Sequence, residues 1–403
     1  MSRIIAAVFL VLVFVANVVI THHVFTEPFP GHNDFMTPVE ATHAFWTDGL
    51  NPYGEEATTR IQQRIFGRPA LPEEDPGYYS YPFYATYITL PFIRMDYSWA
   101  SAIWMVILEV SLVAALLLTL DLFRYRPSPI MLVIYILWIL MVYPGARGLI
   151  LGQLSHFAVL LQILTLWALS RNRDSLAGIV LAFSTFKPQM GYLLVPFLLL
   201  WGIKERRWDF VGYFIGTFGA LMASSFLFFP GWFGEWLHRL SLYPTYTRGN
   251  TIQIITQSYL HLGKAGEWGL NILLYGLVFW SWWKVLIQKK QDQLMWTIMW
   301  TITITHLAAP RTATPHFVLF ALILLFYFGI FSKKRQYALL LTGIALTFAL
   351  PWVHFLLTVG GVAGEQEAAS VHVVMPLLMA LLLWFTQNKW QQSSITINPK
   401  VEI

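Results

Sequence analysis

Asp34 is the residue best placed for general-base chemistry. It lies in Gly31-His32-Asn33-Asp34-Phe35, shortly after the apolar run Ile4–Ile20. A carboxylate beside lipid and aromatic surface has its charged form disfavoured, which raises its pKa towards the range a base needs. Position alone leaves two plainer roles open, a solvated loop aspartate or a cap on a helix opening at Met36. Glu40 follows closely and is read as a candidate to share that site. The run Glu73-Glu74-Asp75 reads as a solvated charge stretch, and Asp48-Gly49 as a helix end turning into Asn51-Pro52-Tyr53.

Cations form the second set. Arg147, Lys187, Arg248, Arg311 and His316 each stand near the end of a different apolar segment. Converging Lys and Arg suit a phosphate group, and charges at the rim of a membrane bundle default to functional roles. Arginines bound to lipid headgroups are the plainer alternative. Lys187, in Lys187-Pro188-Gln189, has no acidic neighbour in the sequence. Glu109 falls in the middle of an apolar segment, and the sequence names no partner for it. His22-His23, His43, His156, His306 and His316 show no tight ligand spacing, and there is neither an Asp-x-Asp motif nor a nucleotide-cradling glycine loop. No metal and no cofactor is therefore expected. A site without a nucleotide motif calls for a group donor that is not nucleotide-bound, and a lipid-linked donor meets that requirement.

The elements that position these residues are apolar helices. Hydrophobic residues make up 57% of the 403 and charged residues 12%, against about 25% charge in soluble domains. Segments at about 4–20, 98–120, 129–143, 153–169, 175–186, 190–202, 209–229, 268–287, 293–309, 315–331, 336–358 and 370–386 predict an all-α polytopic membrane protein of about 11–12 spans. Arg3, Arg124/Arg126, Arg171/Arg173, Lys204/Arg206/Arg207, Lys289/Lys290, Lys333–Arg335 and Lys389 are then cytoplasmic. The net charge of +5 is this topology signal, not a nucleic-acid footprint. The clusters at 171–173 and 204–207 share a side only if 175–202 is a hairpin of two short helices. Its tip is Lys187-Pro188-Gln189, where the proline breaks the helix.

This topology faces 21–97 and 230–267 outwards, as long first and second outer loops of a single domain over 1–390. Residues 82–92 lie in the interface, and 391–403 form a cytoplasmic tail. Ile4–Ile20 lacks a small-x-small cleavage signature and reads as a retained first helix. The expected location is the plasma membrane, with the site on the extracytoplasmic side. No cysteine is present, which excludes disulfides and thiolate chemistry.

The ordered set Asp34-Phe35, Gly49-Leu50-Asn51-Pro52-Tyr53, Tyr81-Pro82, Gly152-Gln153, Gly178, Lys187-Pro188-Gln189 and Ala309-Pro310 before His316 resembles glycosyltransferase family 87. These are membrane mannosyltransferases of the GT-C superfamily. The resemblance implies a GT-C bundle and a polyprenyl-phosphate sugar, usually mannose, as donor. It implies Asp34 as general base in an inverting transfer to a lipid or glycan acceptor. Lys187, with Arg311 and His316, is implied to stabilise the departing phosphate. Tyr81, Gln153, Arg147 and Arg248 complete the expected substrate-binding set.

The chain departs from the family pattern at Thr37-Pro38-Val39, Phe83, Ser155 and Ala308-Ala309-Pro310. These changes bear on sugar and acceptor identity and leave the reaction type intact. Two other functions stay open. One is a lipid-linked glycan ligase or polymerase, whose largest outer loop usually lies late in the chain. The other is a lipid or sugar transporter, for which paired broken helices would be expected.

Overall fold

The computed structural model describes residues 2–29, 34–72, 74–246, 249–360 and 367–391. Every one of the twelve apolar segments is helical. Among the described residues, six helices are long and apolar enough to cross a bilayer: Ile4–Thr26, Tyr97–Leu122, Trp208–Phe228, Gly263–Leu286, Thr314–Lys333 and Tyr337–Thr358. A seventh span forms if Pro129–Met141 and Tyr143–Ile150 are joined across their 55° bend. The remaining segments are shorter than the expected count of spans requires. Asp174–Ser184 and Leu194–Lys204 have 11 residues each, or about 16 Å of helix against a ~30 Å hydrocarbon core.

Burial separates the helices by role. Ile4–Thr26 and Tyr337–Thr358 are apolar on all sides, with only 11% of the spanning window buried in protein, so they face lipid. Thr314–Lys333 is 89% buried and sits at the centre, beside Leu294–Ala308, whose side chains are all buried. The first helix packs along Tyr97–Leu122 through Val18, Ala102 and Val106. In that seam Asn17 Nδ2 donates to Glu109 Oε2 at 2.6 Å, which supplies the partner the sequence withheld.

The two short helices return to one end of the molecule, as the hairpin reading requires. Arg207 Nε donates to Asp174 Oδ2 at 3.1 Å, and its Nη2 to Leu169 O at 3.0 Å, so both basic clusters meet there. Asp174–Ser184 lies tight against Trp208–Phe228 at Gly178. A Cβ at Gly178 would stand 2.4 Å from Phe210 O, so only glycine permits that approach.

The long segment after the first helix is folded in its own right. Met36–Asp48 ends at Gly49, whose φ of +68° provides a left-handed cap, and Glu55–Phe66 follows. Residues 83–92 form a chain of short helical turns. Tyr53 OH donates to Tyr81 O at 2.8 Å. Arg239, on Trp232–Tyr246, donates from Nε to Tyr53 O at 2.5 Å and lies 4.3 Å over the Tyr78 ring. The segment 230–267 thereby clamps the first loop. It also ends earlier than expected, because the next long helix already opens at Gly263.

Candidate active site

Aromatic packing fixes the position of Asp34. Phe35, fully buried, stacks on Trp104 with 4.9 Å between centroids and a 6° interplanar angle. Trp104 Nε1 in turn donates to Gly152 O at 2.9 Å. Gly152 has φ +63°, a left-handed value that turns the chain into Gln153. The Asp34 backbone N–H donates to Leu151 O at 2.7 Å, bringing the first loop onto the same turn. Two residues distant in the sequence are thus held side by side before either side chain makes a bond.

Their side chains then form a chain. Gln153 Nε2 donates to Asp34 Oδ2, and Gln153 Oε1 accepts from Lys187 Nζ. The amide orientation follows from its partners, since an ammonium only donates and a carboxylate only accepts. Lys187 is 2% exposed, in the turn outside the two short helices, with its Nζ 5.8 Å above the Tyr81 ring. Tyr84 OH donates to Thr185 O at 3.1 Å and anchors the first loop to that turn.

Arg311 completes the charge set. It pairs with Asp75 at 3.3 Å, and its charge acts on Asp34 more strongly than that of Lys187. Burial raises the Asp34 pKa above the usual carboxylate range, with Arg311 and Lys187 opposing the rise and Asp75 adding to it. Burial also draws the Lys187 ammonium down to about 7, against the pull of Asp34. A partly exposed carboxylate with raised basicity therefore faces two cations.

Three buried imidazoles line the far side. His316 Nδ1 accepts from Ala313 N–H at 3.3 Å, which leaves its proton on Nε2. His306 Nδ1 donates to Ile302 O at 2.8 Å, and His156 Nε2 to Gly145 O at 2.8 Å. His306 Nε2 and His156 Nδ1 are consequently lone pairs, buried and without a hydrogen-bond partner among the described residues. Lys187 and Arg311 both lie within electrostatic reach of His316. A His156 ring in this place requires glycine at Gly148, where a Cβ would lie 2.1 Å from His156 Cε1.

The structure gathers Asp34, Gln153, Lys187, Tyr81, Arg311 and His316 into one neighbourhood. Glu40 stands apart, ion-paired with Arg64 at 2.8 Å. Arg147 belongs to an adjoining cluster around Glu367, 3.5 Å away, where Tyr143, Thr314 and His372 also bind the carboxylate. Burial works against that carboxylate, yet the hydrogen bond and charge of His372, with Tyr143 and Thr314, hold its pKa at about 2. Arg248 and Gly31-His32-Asn33 lie outside the described residues.

The acidic run at 73–75 is not simply solvated. Glu74 is buried and takes a bidentate bond from Arg68, and Asp75 holds Arg311. Sequence reading passed over His156, His306, Glu367 and His372 as site residues. For the three histidines the signal that was available is a polar side chain in an otherwise apolar helix; Glu367, in the bend before Val371–Phe385, carried no such signal.

The family model for glycosyltransferase family 87 matches residues 79–310, more than half of the chain. The chain belongs to glycosyltransferase family 87. No curated protein and no solved structure matches it. As a family 87 member it is a glycosyltransferase, and the resemblance carried by its motifs is borne out. The matched region contains Tyr81, Gln153 and Lys187, while Arg311 and His316 lie just past its end and Asp34 well before its start. Those three enter the site through the fold, not through the match.

Proposed function

We propose that the protein transfers a sugar, mannose in the leading case, from a polyprenyl-phosphate donor to a lipid or glycan acceptor on the extracytoplasmic side of the plasma membrane. The observation that carries this reading is the Asp34–Gln153–Lys187 chain, with Arg311 beside it. Asp34 accepts the proton of the acceptor hydroxyl. That oxygen attacks the anomeric carbon as the bond to the phosphate oxygen breaks, inverting the configuration. The phosphate leaves with the electron pair, and Lys187 and Arg311 neutralise it in a water-poor setting where such contacts are strong. Phosphate binding favours the charged form of Lys187, which burial alone disfavours. Gln153 holds base and cation at fixed separation, and the His316 Nε2–H is a further donor for a phosphate or sugar oxygen.

The test is transfer from a short-chain polyprenyl-phosphate mannose to an acceptor pool by purified protein, wild type against Asp34→Asn. Transfer by wild type, falling about 10²–10⁴-fold in a folded variant, is the expected result. Undiminished transfer by the variant would overturn Asp34 as base, and failure of wild type to bind the donor would overturn the donor class.

A further inference from the structure

The first helix does not end cleanly at Thr21. It continues through the wider turn His22–Thr26, closed by the Glu27 N–H donating to His22 O at 2.8 Å. Such i→i+5 turns are rare and often mark functional sites. Here the turn has a geometric effect. In an α-helix, at about 100° per residue, Glu27 would project beyond His23 and well round the axis from His22. The wider turn advances less per residue and swings Glu27 back between the two imidazoles. His23 Nδ1 stands 2.8 Å and His22 Nε2 3.9 Å from Glu27 Oε2. One ligand atom from each of the three residues lies within 4.8 Å of the others.

We propose that His22, His23 and Glu27 form a binding site for a divalent ion of the Zn²⁺ class. Two imidazole nitrogens and one carboxylate oxygen suit that ion, and three protein ligands leave a fourth position for water. Ligand bonds of about 2.0–2.2 Å imply ligand–ligand edges of roughly 3.3–3.5 Å in a tetrahedral site. The His23–Glu27 contact opens by a few tenths of an ångström to meet this, and the His22–Glu27 contact closes by a similar amount. His23 and Glu27 are free to move, with side chains 59% and 58% exposed. His22 is the fixed ligand, buried and stacked on Trp99 at 3.6 Å and 17°. Thr26 Oγ1 donates to Ser98 O at 2.7 Å, locking the turn to the start of Tyr97–Leu122 before any ion arrives. The Asp96 carboxylate lies within electrostatic reach of His22 and adds negative charge. A bound ion would staple this last turn of the first helix, close to where the chain enters the loop bearing Asp34.

This site is independent of the transfer chemistry, so its test reads binding alone. Full-length protein without a polyhistidine tag is titrated with Zn²⁺ in detergent micelles by calorimetry, and with Co²⁺ by visible absorption. Saturable one-to-one binding is expected, weakened at least tenfold in His23→Gln and in Glu27→Gln. Both positions are exposed, so both variants fold. A tetrahedral Co²⁺ spectrum present in wild type and lost in either variant supports the same assignment. No saturable binding, or binding unchanged in the variants, would overturn it and leave His23 and Glu27 as a surface ion pair.

Discussion

At the residue scale, the raised basicity of Asp34 sets a pH dependence whose sign can be worked out. As a base it acts only when ionised, so turnover rises with pH through its folded pKa. Burial places that pKa above the ordinary carboxylate range, and the rising limb is displaced upwards accordingly. Stability runs the other way. A carboxylate whose folded pKa is raised contributes stability present at low pH and lost as pH rises through the folded value. Asp34→Asn is therefore expected to lower transfer about 10²–10⁴-fold while leaving the melting temperature equal or higher, measured side by side at pH 7. Gln153→Ala removes a hydrogen bond to the charged form of Asp34. Its rising limb should move to still higher pH with a lower maximal rate, which a kcat–pH profile checks. A limb that stays in place would show that the amide does not tune the base. Lys187→Arg is expected to fail as a replacement, losing at least tenfold in kcat, because a 2% exposed ammonium site has no room for a guanidinium.

At the element scale, glycine contacts decide how closely helices approach the site. Gly178→Ala drives a methyl against Phe210 O, and the overpacking costs about 1–3 kcal/mol. Gly212, on the helix facing it, has nothing within 4 Å of a Cβ. Gly212→Ala should be neutral or slightly stabilising, since alanine favours a helix by up to ~1 kcal/mol over glycine. Denaturation of the two variants in detergent separates a contact effect from a general intolerance to change. Equal losses would remove Gly178 from that packing role.

The same scale shows what the sequence could reveal. Helix periods, the break at Lys187-Pro188-Gln189 and the cap at Gly49 were legible because local backbone chemistry fixes them. Asp34 and Lys187 were legible because charge is rare in apolar chain. The pairing of Glu109 with Asn17, and of Asp75 with Arg311, was not. Those bonds join residues far apart in the chain, and no local rule names a distant partner. Glu40 failed to join Asp34 for the same reason, because Arg64 on a neighbouring helix claims it.

At the scale of the whole molecule, the two ends have different chemistry, and that difference predicts an orientation. Arg171, Asp174 and Arg207 meet at one end with Asp121, which Arg171 contacts at 2.5 Å. Lys187, Asp34 and the folded first loop occupy the neighbourhood reached by the hairpin tip, away from that end. Basic clusters remain on the cytoplasmic side because moving Lys or Arg across the hydrocarbon is costly. The absence of native cysteine makes the prediction cleanly testable, since any introduced thiol is the sole target of a maleimide. Glu56 and Lys334 are both exposed, the first on the folded loop and the second in a basic cluster. In intact cells, Glu56→Cys should be labelled by a membrane-impermeant maleimide, and Lys334→Cys only after permeabilisation. The reverse pattern would place the Asp34 site in the cytoplasm. A nucleotide-linked sugar could then reach it, and the argument for a lipid-linked donor would fail together with the topology.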